Sequence, residues 1–150
     1  IADLVQKISD LRRQSGGRSA QVTASINAFV PKPHTAFERE AMDTMESLVR
    51  KRALLRSSVK SRAIELDFHS LDMSYLEAIM SRGDRRLGCV IGESFRQGAR
   101  FDGWREFFDF NRWMGAFSAL GIDHARYVTR PRNTDEILPW TAIDIRGTLI

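Results

Sequence analysis

Leu4, Val5, Ile8 and Leu11 recur at the three- and four-residue spacing of a helix with one apolar face. The first helix is therefore expected over Ile1–Gln14, with Ser15-Gly16-Gly17 ending it. Residues 22–30 (Val-Thr-Ala-Ser-Ile-Asn-Ala-Phe-Val) are β-branched and small, in a run too short for a helix. They predict a buried strand, parallel because a helix precedes it, that Pro31 and Pro33 terminate. Thr35-x-x-Glu38 has the form of a capping box, and the helix it would open runs to about Arg56 with Ala41, Met45, Leu48 and Leu55 along its stripe. Arg62–Phe68 alternates polar and apolar residues and predicts a strand with one wet face.

The second half reads as helical. Ser74-x-x-Glu77 offers another capping box for a short helix to about Met80. Leu87, Val90, Ile91, Ser94 and Phe95 set one helical face, ended by Gly98; Phe110, Trp113, Met114, Phe117 and Leu120 set another, ended by Gly121. Beyond Arg130 the prolines 131 and 139 and Gly147 predict irregular chain.

With 43% hydrophobic and 28% charged residues, the composition is that of a folded globular chain. No apolar run reaches the roughly 20 residues that cross a bilayer, and the first residues lack the pattern of a secretory signal, so no membrane partner is expected. The single cysteine, Cys89, cannot form an internal disulfide, which suits the cytoplasm. The chain begins at Ile1 rather than Met and reads as a piece of something longer.

Charge changes the picture more. The net charge is +4, and only Lys7, Lys32, Lys51 and Lys60 are lysines, which leaves nineteen arginines. Guanidinium groups match carboxylates, phosphates and aromatic faces in a way ammonium groups do not. Nucleic acid is therefore a possible partner.

Candidate chemistry is sparse. His34, His69 and His124 are far apart in the chain and none neighbours Cys89, so no metal site is expected. Nucleophile-elbow and glycine-rich phosphate loops are absent, and no catalytic residue is named. Cys89 falls among positions expected to be buried. Seven of the fourteen aromatic residues lie between Phe101 and Phe117, at a spacing that favours a core stripe over a base-stacking platform.

Two stretches stand out. Arg82, Arg85 and Arg86 surround Asp84, a candidate N-cap for the next helix. The arginines either pair with carboxylates such as Asp102, Glu106 or Asp144 or bind a ligand's anionic group. Asn27 in an apolar strand is followed by a proline-stiffened loop bearing Lys32, His34 and Thr35. In parallel sheets, functional groups collect at such strand ends.

Four blocks carry a resemblance to a family: Ser25-Ile-Asn-Ala-Phe-Val-Pro-Lys-Pro-His-Thr-Ala-Phe37, Ser81-Arg-Gly-Asp-Arg-Arg-Leu87, Gly98-Ala-Arg-Phe-Asp-Gly-Trp104 and Glu136-Ile-Leu-Pro-Trp140. From about Val22 to Asp144 the chain resembles the C-terminal part of radical S-adenosylmethionine (SAM) proteins, in the group that often carries a cobalamin-binding-like domain upstream. The resemblance implies an α/β, helix-rich fold: the last strand/helix unit of a partial (β/α) barrel over residues 1–60, then a mainly helical C-terminal extension over 61–150. It implies an iron–sulfur cluster and S-adenosylmethionine in the parent protein, and possible cobalamin, with none of these bound by this segment alone. Asn27, Lys32, His34 and Thr35 would lie at the barrel mouth near S-adenosylmethionine or substrate, and the rest of the parent barrel would be a partner. One cysteine cannot supply the three thiolates such a cluster needs, and Ala36 stands where relatives often have Pro. The expected function is to complete the barrel and cap its substrate side without being catalytic alone. The alternative is a free-standing arginine-rich module for RNA or another polyanion.

Overall fold

A computed structural model describes residues 1–143. The chain divides into two compact units, one built from residues 1–28 and 44–71 and the other from residues 29–43 and 72 onward.

The first unit contains α1 (Ala2–Gln14), β1 (Val22–Ile26), α2 (Met45–Ser58) and β2 (Ile64–Phe68). β1 and β2 are parallel, with Val22 opposite Ile64 and Ile26 opposite Phe68, and α2 lies between them in the chain. Both strands alternate in exposure, so each presents one covered and one wet face. α1 packs against both strands. It is held to the chain before β1 by Ser9, whose buried hydroxyl donates to the Ala20 carbonyl at 2.8 Å while its own carbonyl accepts from the Ala20 amide. α2 begins at Met45, where the Thr44 hydroxyl accepts from the Ser47 amide. It buries no side chain completely, but Arg52 reaches β2, donating to the Phe68 carbonyl and lying over the Phe68 ring.

The second unit holds α3 (all but its first residue; Leu71–Arg82), α4 (Leu87–Arg96), α5 (Phe110–Ala119) and the single turn α6 (Ala125–Val128). α4 and α5 pack together. Most fully buried apolar side chains lie here, among them Ile79, Val90, Phe117 and Val128. Gly98 and Gly121, beyond α4 and α5, have φ of +97° and +62°, where a side chain is disfavoured. Gly83, between α3 and α4, is needed for space: a Cβ there would meet the Ile79 carbonyl oxygen at 2.9 Å and the Leu87 side chain closer still.

The barrel expectation is overturned. The described residues form a mostly helical protein with one two-stranded parallel sheet, and no partial barrel is present among them. Local expectations shift as well. Thr35-x-x-Glu38 opens no helix. Residues 35–44 are turns and irregular chain, because the Thr35 hydroxyl turns back to the Lys32 carbonyl and the Glu38 carboxylate to the His34 amide. Ser74 lies inside α3, fully buried, rather than at its start. Cys89 is exposed. No helix among the described residues is long and apolar enough to cross a membrane.

Candidate functional site

The second unit is organised around a buried guanidinium. Arg82, the last residue of α3, is completely buried. Its Nε donates to the Tyr127 carbonyl at 2.7 Å, its Nη2 to the Arg130 carbonyl at 2.9 Å, and its Nη1 to the carbonyls of Glu38 (3.3 Å) and Glu40. One side chain thus joins the loop of residues 38–40 to the chain around α6. Burial and the neighbouring Arg132 and Arg130 charges lower its pKa, while Glu136 and Glu40 oppose the shift. Four carbonyl dipoles replace the water that the charge has lost.

Around this centre the chain is cross-tied. Arg132 Nη2 donates to the Arg82 carbonyl at 3.0 Å. Glu136 accepts two bonds from Arg130, at 2.7 and 2.8 Å, and one from Arg132 at 2.8 Å, which hold its carboxyl well below the usual range. Arg39 donates to the carbonyls of Asn133 and Glu136. Trp140, a buried residue of the irregular C-terminal chain, donates from its indole N–H to Glu38 at 2.9 Å. The Trp140 bond and the His34 amide lower the Glu38 carboxyl pKa.

The candidate anion-binding arginines therefore separate. Arg82 spends its donors on the backbone. Arg86 lies at the surface and chelates Asp84, with Nε and Nη2 bonds of 3.0 and 2.7 Å, and its guanidinium also faces the Tyr127 ring. The Arg86 bonds, followed by the Tyr127 hydroxyl, bring the Asp84 carboxyl to about 2 despite partial burial. Asp84 caps through the Arg86 amide rather than at the first residue of α4. Arg85 is exposed. Asp144, one of the carboxylates expected to pair with this group, lies outside the described residues.

The other candidates also separate. Asn27 follows β1 in the first unit and is exposed, not set in a buried strand. Lys32, His34 and Thr35 belong to the second unit. The Lys32 ammonium is engaged by Glu77 and by Ser81 at 3.0 Å. His34 and Thr35 are exposed at the tip of the loop, and His34 has φ +59°. That left-handed conformation is uncommon for a residue other than glycine. It is maintained by the 2.8 Å bond from its amide to Glu38. His34 is thus presented to solvent by a loop anchored at Pro31, Lys32, Glu38 and Glu40.

Sequence reasoning gave Glu38 only a helix-capping role, and gave Tyr127 and Glu136 no role of their own. For its observed role only Glu136 carried a local signal, four residues after Arg132 and six after Arg130. Among the described residues no three His, Cys, Asp or Glu side chains gather as a metal site would require. Cys89 is one exposed thiol on α4, so the donor set does not fit an iron–sulfur cluster. The groups around His34 suit polar ligands in general and carry no feature particular to S-adenosylmethionine or cobalamin.

Comparison with known proteins adds one relative. The chain is 22% identical over 118 residues to the uncharacterized protein MJ0966 of Methanocaldococcus jannaschii. The match takes in 79% of this chain and 26% of that protein, so the chain spans about a quarter of the length of the curated relative it matches. No family model matches the chain. No solved structure matches it.

Proposed function

We propose that the chain is the C-terminal portion of a longer, cytoplasmic radical S-adenosylmethionine enzyme, and that it supplies a rigid substrate-side module rather than the radical-forming chemistry. The observation that supports this reading is the convergence of three of the four blocks that carry the resemblance. Pro31–Phe37 with the adjoining Glu38, Ser81–Leu87 and Glu136–Trp140 lie up to about a hundred residues apart in the chain. They are nevertheless joined by the Glu38–Trp140 bond, the Arg82 bonds and the Arg132 bonds to Glu136 and the Arg82 carbonyl. Segments that hold one another in this way form a single module. The much greater length of the M. jannaschii relative fits a module within a larger polypeptide.

In this reading the cluster, S-adenosylmethionine and any cobalamin are held by other parts of the longer protein. The remainder of that polypeptide, not a barrel completed here, is the first partner. His34 and Thr35 contact S-adenosylmethionine or substrate from the fixed loop tip, while Lys32, paired with Glu77, positions that loop. The polyanion-binding alternative is less well supported. Arg39, Arg52, Arg82, Arg130 and Arg132 already donate to the chain's own backbone or carboxylates, which leaves fewer guanidinium groups for phosphates.

The test is the mass and sequence of the native polypeptide, followed by anaerobic iron–sulfur reconstitution. A C-x-x-x-C-x-x-C loop upstream, and reductive formation of 5′-deoxyadenosine by the reconstituted protein, are the expected results. A native chain lacking those cysteines would overturn the proposal.

A further inference from the structure

His34 is exposed and stands in a left-handed conformation, with φ +59°, at the tip of its loop. A non-glycine residue keeps that conformation only where its surroundings impose it. Pro33, whose ring fixes a negative φ, cannot take the left-handed turn in its place. The hydrogen bonds show what imposes it. Glu38 Oε2 accepts from the His34 amide at 2.8 Å and from the Trp140 indole N–H at 2.9 Å. Both bonds fall on one oxygen, and a bond to an ionised acceptor is about twice as strong as one between neutral groups.

A glutamate side chain is long and rotates freely, so holding it in one place costs rotamer entropy. The indole is a donor of the opposite kind. Trp140 is 6% exposed, and its stretch of chain is turned by three bonds. The Leu138 amide donates to the Thr141 hydroxyl at 3.1 Å, the Thr141 amide to the Leu138 carbonyl at 3.0 Å, and the Ile143 amide to the Trp140 carbonyl at 2.9 Å. Arg39, beside Glu38, donates to the Asn133 and Glu136 carbonyls, while the Arg132 amide donates to the Arg39 carbonyl at 2.7 Å. The His34 loop is therefore fixed twice, by Lys32 to α3 and by Glu38 to the C-terminal chain.

We propose that Trp140 and Glu38 are positioning residues for His34: the indole aims the carboxylate, the carboxylate holds the His34 amide, and the imidazole is presented from the loop tip as a result. The C-terminal chain around Trp140 is then a latch on the loop. Withdrawing the indole lets Glu38 swing away and His34 relax to a right-handed or extended conformation, which turns the imidazole elsewhere. Its bearing on catalysis rests on the reading in which His34 contacts S-adenosylmethionine or substrate. The conformational coupling itself does not.

The test follows His34 by NMR in the full, isotope-labelled chain. A left-handed residue brings its own amide and α protons close together, so the parent is expected to show a strong cross-peak between them. Trp140→Phe keeps most of the ring but loses the N–H. It is expected to weaken that cross-peak and to speed exchange of the His34 amide with water about tenfold, while the signals of the buried Val90 and Phe117 stay in place. Glu38→Gln, which keeps a neutral acceptor, is expected to fall between the parent and Glu38→Ala, which removes it; Glu38→Ala also serves if Trp140→Phe fails to fold. Unchanged His34 signals in Trp140→Phe, or in Glu38→Ala where only that variant folds, would overturn the proposal. So would Val90 and Phe117 shifts as large as those at His34, since Trp140 would then be only a packing residue. These readouts need neither cluster nor S-adenosylmethionine, so a failed latch and a failed radical enzyme reading are told apart.

Discussion

Replacing Arg82 by Met tests whether the buried guanidinium holds the second unit together. Met fills much of the same volume but leaves the carbonyls of Glu38, Glu40, Tyr127 and Arg130 without the donor they share. A hydrogen bond to a charged group contributes about 1.5–3 kcal/mol, so four such bonds represent roughly 6–12 kcal/mol gross. Against this stands the cost of keeping the charge out of water, several kcal/mol, which the variant no longer bears. The expected net loss is about 3–5 kcal/mol, a large part of the 5–15 kcal/mol of a typical domain. The assay is urea unfolding followed by the fluorescence of the buried Trp113 and Trp140, which report on this unit. With a slope of about 1–3 kcal/mol per molar urea, the midpoint should fall by about 2 M. Arg82→Lys should fall between, since one ammonium cannot span the same carbonyls. A midpoint for Arg82→Met within about 0.5 M of the parent would show that desolvation cancels the four bonds, and would refute the reasoning.

Arg85→Gln combined with Arg86→Gln should leave the urea midpoint close to the parent's, because both side chains lie at the surface and exposed ion pairs add little; a marked drop would make them structural. Asp84 predicts an acid limb: its carboxyl is lowered to about 2 in the folded chain from an ordinary 3.8. The unfolded chain therefore binds more protons in that interval, and the Asp84 contribution is lost as pH falls from about 4 to about 2. Urea midpoints measured across this range should fall less steeply in Asp84→Asn, and an unchanged slope would refute the assignment. His34→Gly should leave stability unchanged or raise it by up to about 1 kcal/mol by relieving the left-handed residue, whereas Gly98→Ala should lower it by about 1–2 kcal/mol. Thermal melts of the two variants compare these signs directly.

Elements governed by local periodicity were legible in the chain. α1, α4 and α5 show their apolar spacing and glycine stops, and β2 shows its alternation. β1 is parallel as expected, but it covers only Val22–Ile26 and buries none of its residues completely, and its pairing with β2 across α2 was not foreseen. The same rules failed where a longer-range bond takes over a local pattern. Thr35 and Glu38 have capping-box spacing, but Glu38 is engaged by Trp140, 102 residues away. Phe101, Trp104 and Phe107 repeat at helical spacing in a segment that is turns, so this part of the stripe expected in the core lies in solvent, while Trp113 and Phe117 are buried. Arg82 reads as a partner for a carboxylate or for a ligand's anionic group, because the carbonyls it binds lie 42 to 48 residues away and carry no side-chain signature. The barrel came from resemblance alone, and two strands do not make one.

The acceptors around Arg82 are main-chain oxygens, an atom that every amino acid carries. Exchanging the side chain at 38, 40, 127 or 130 leaves the corresponding carbonyl in place, so the guanidinium contacts can outlast changes at its partners. A saturation scan read for folded yield should then be lopsided around this centre. Position 82 should accept almost nothing, while positions 40 and 130 accept many residues, proline excepted where the backbone would move. The unit concentrates its mutational fragility in one codon, and related chains could diverge widely around that arginine while keeping the same knot.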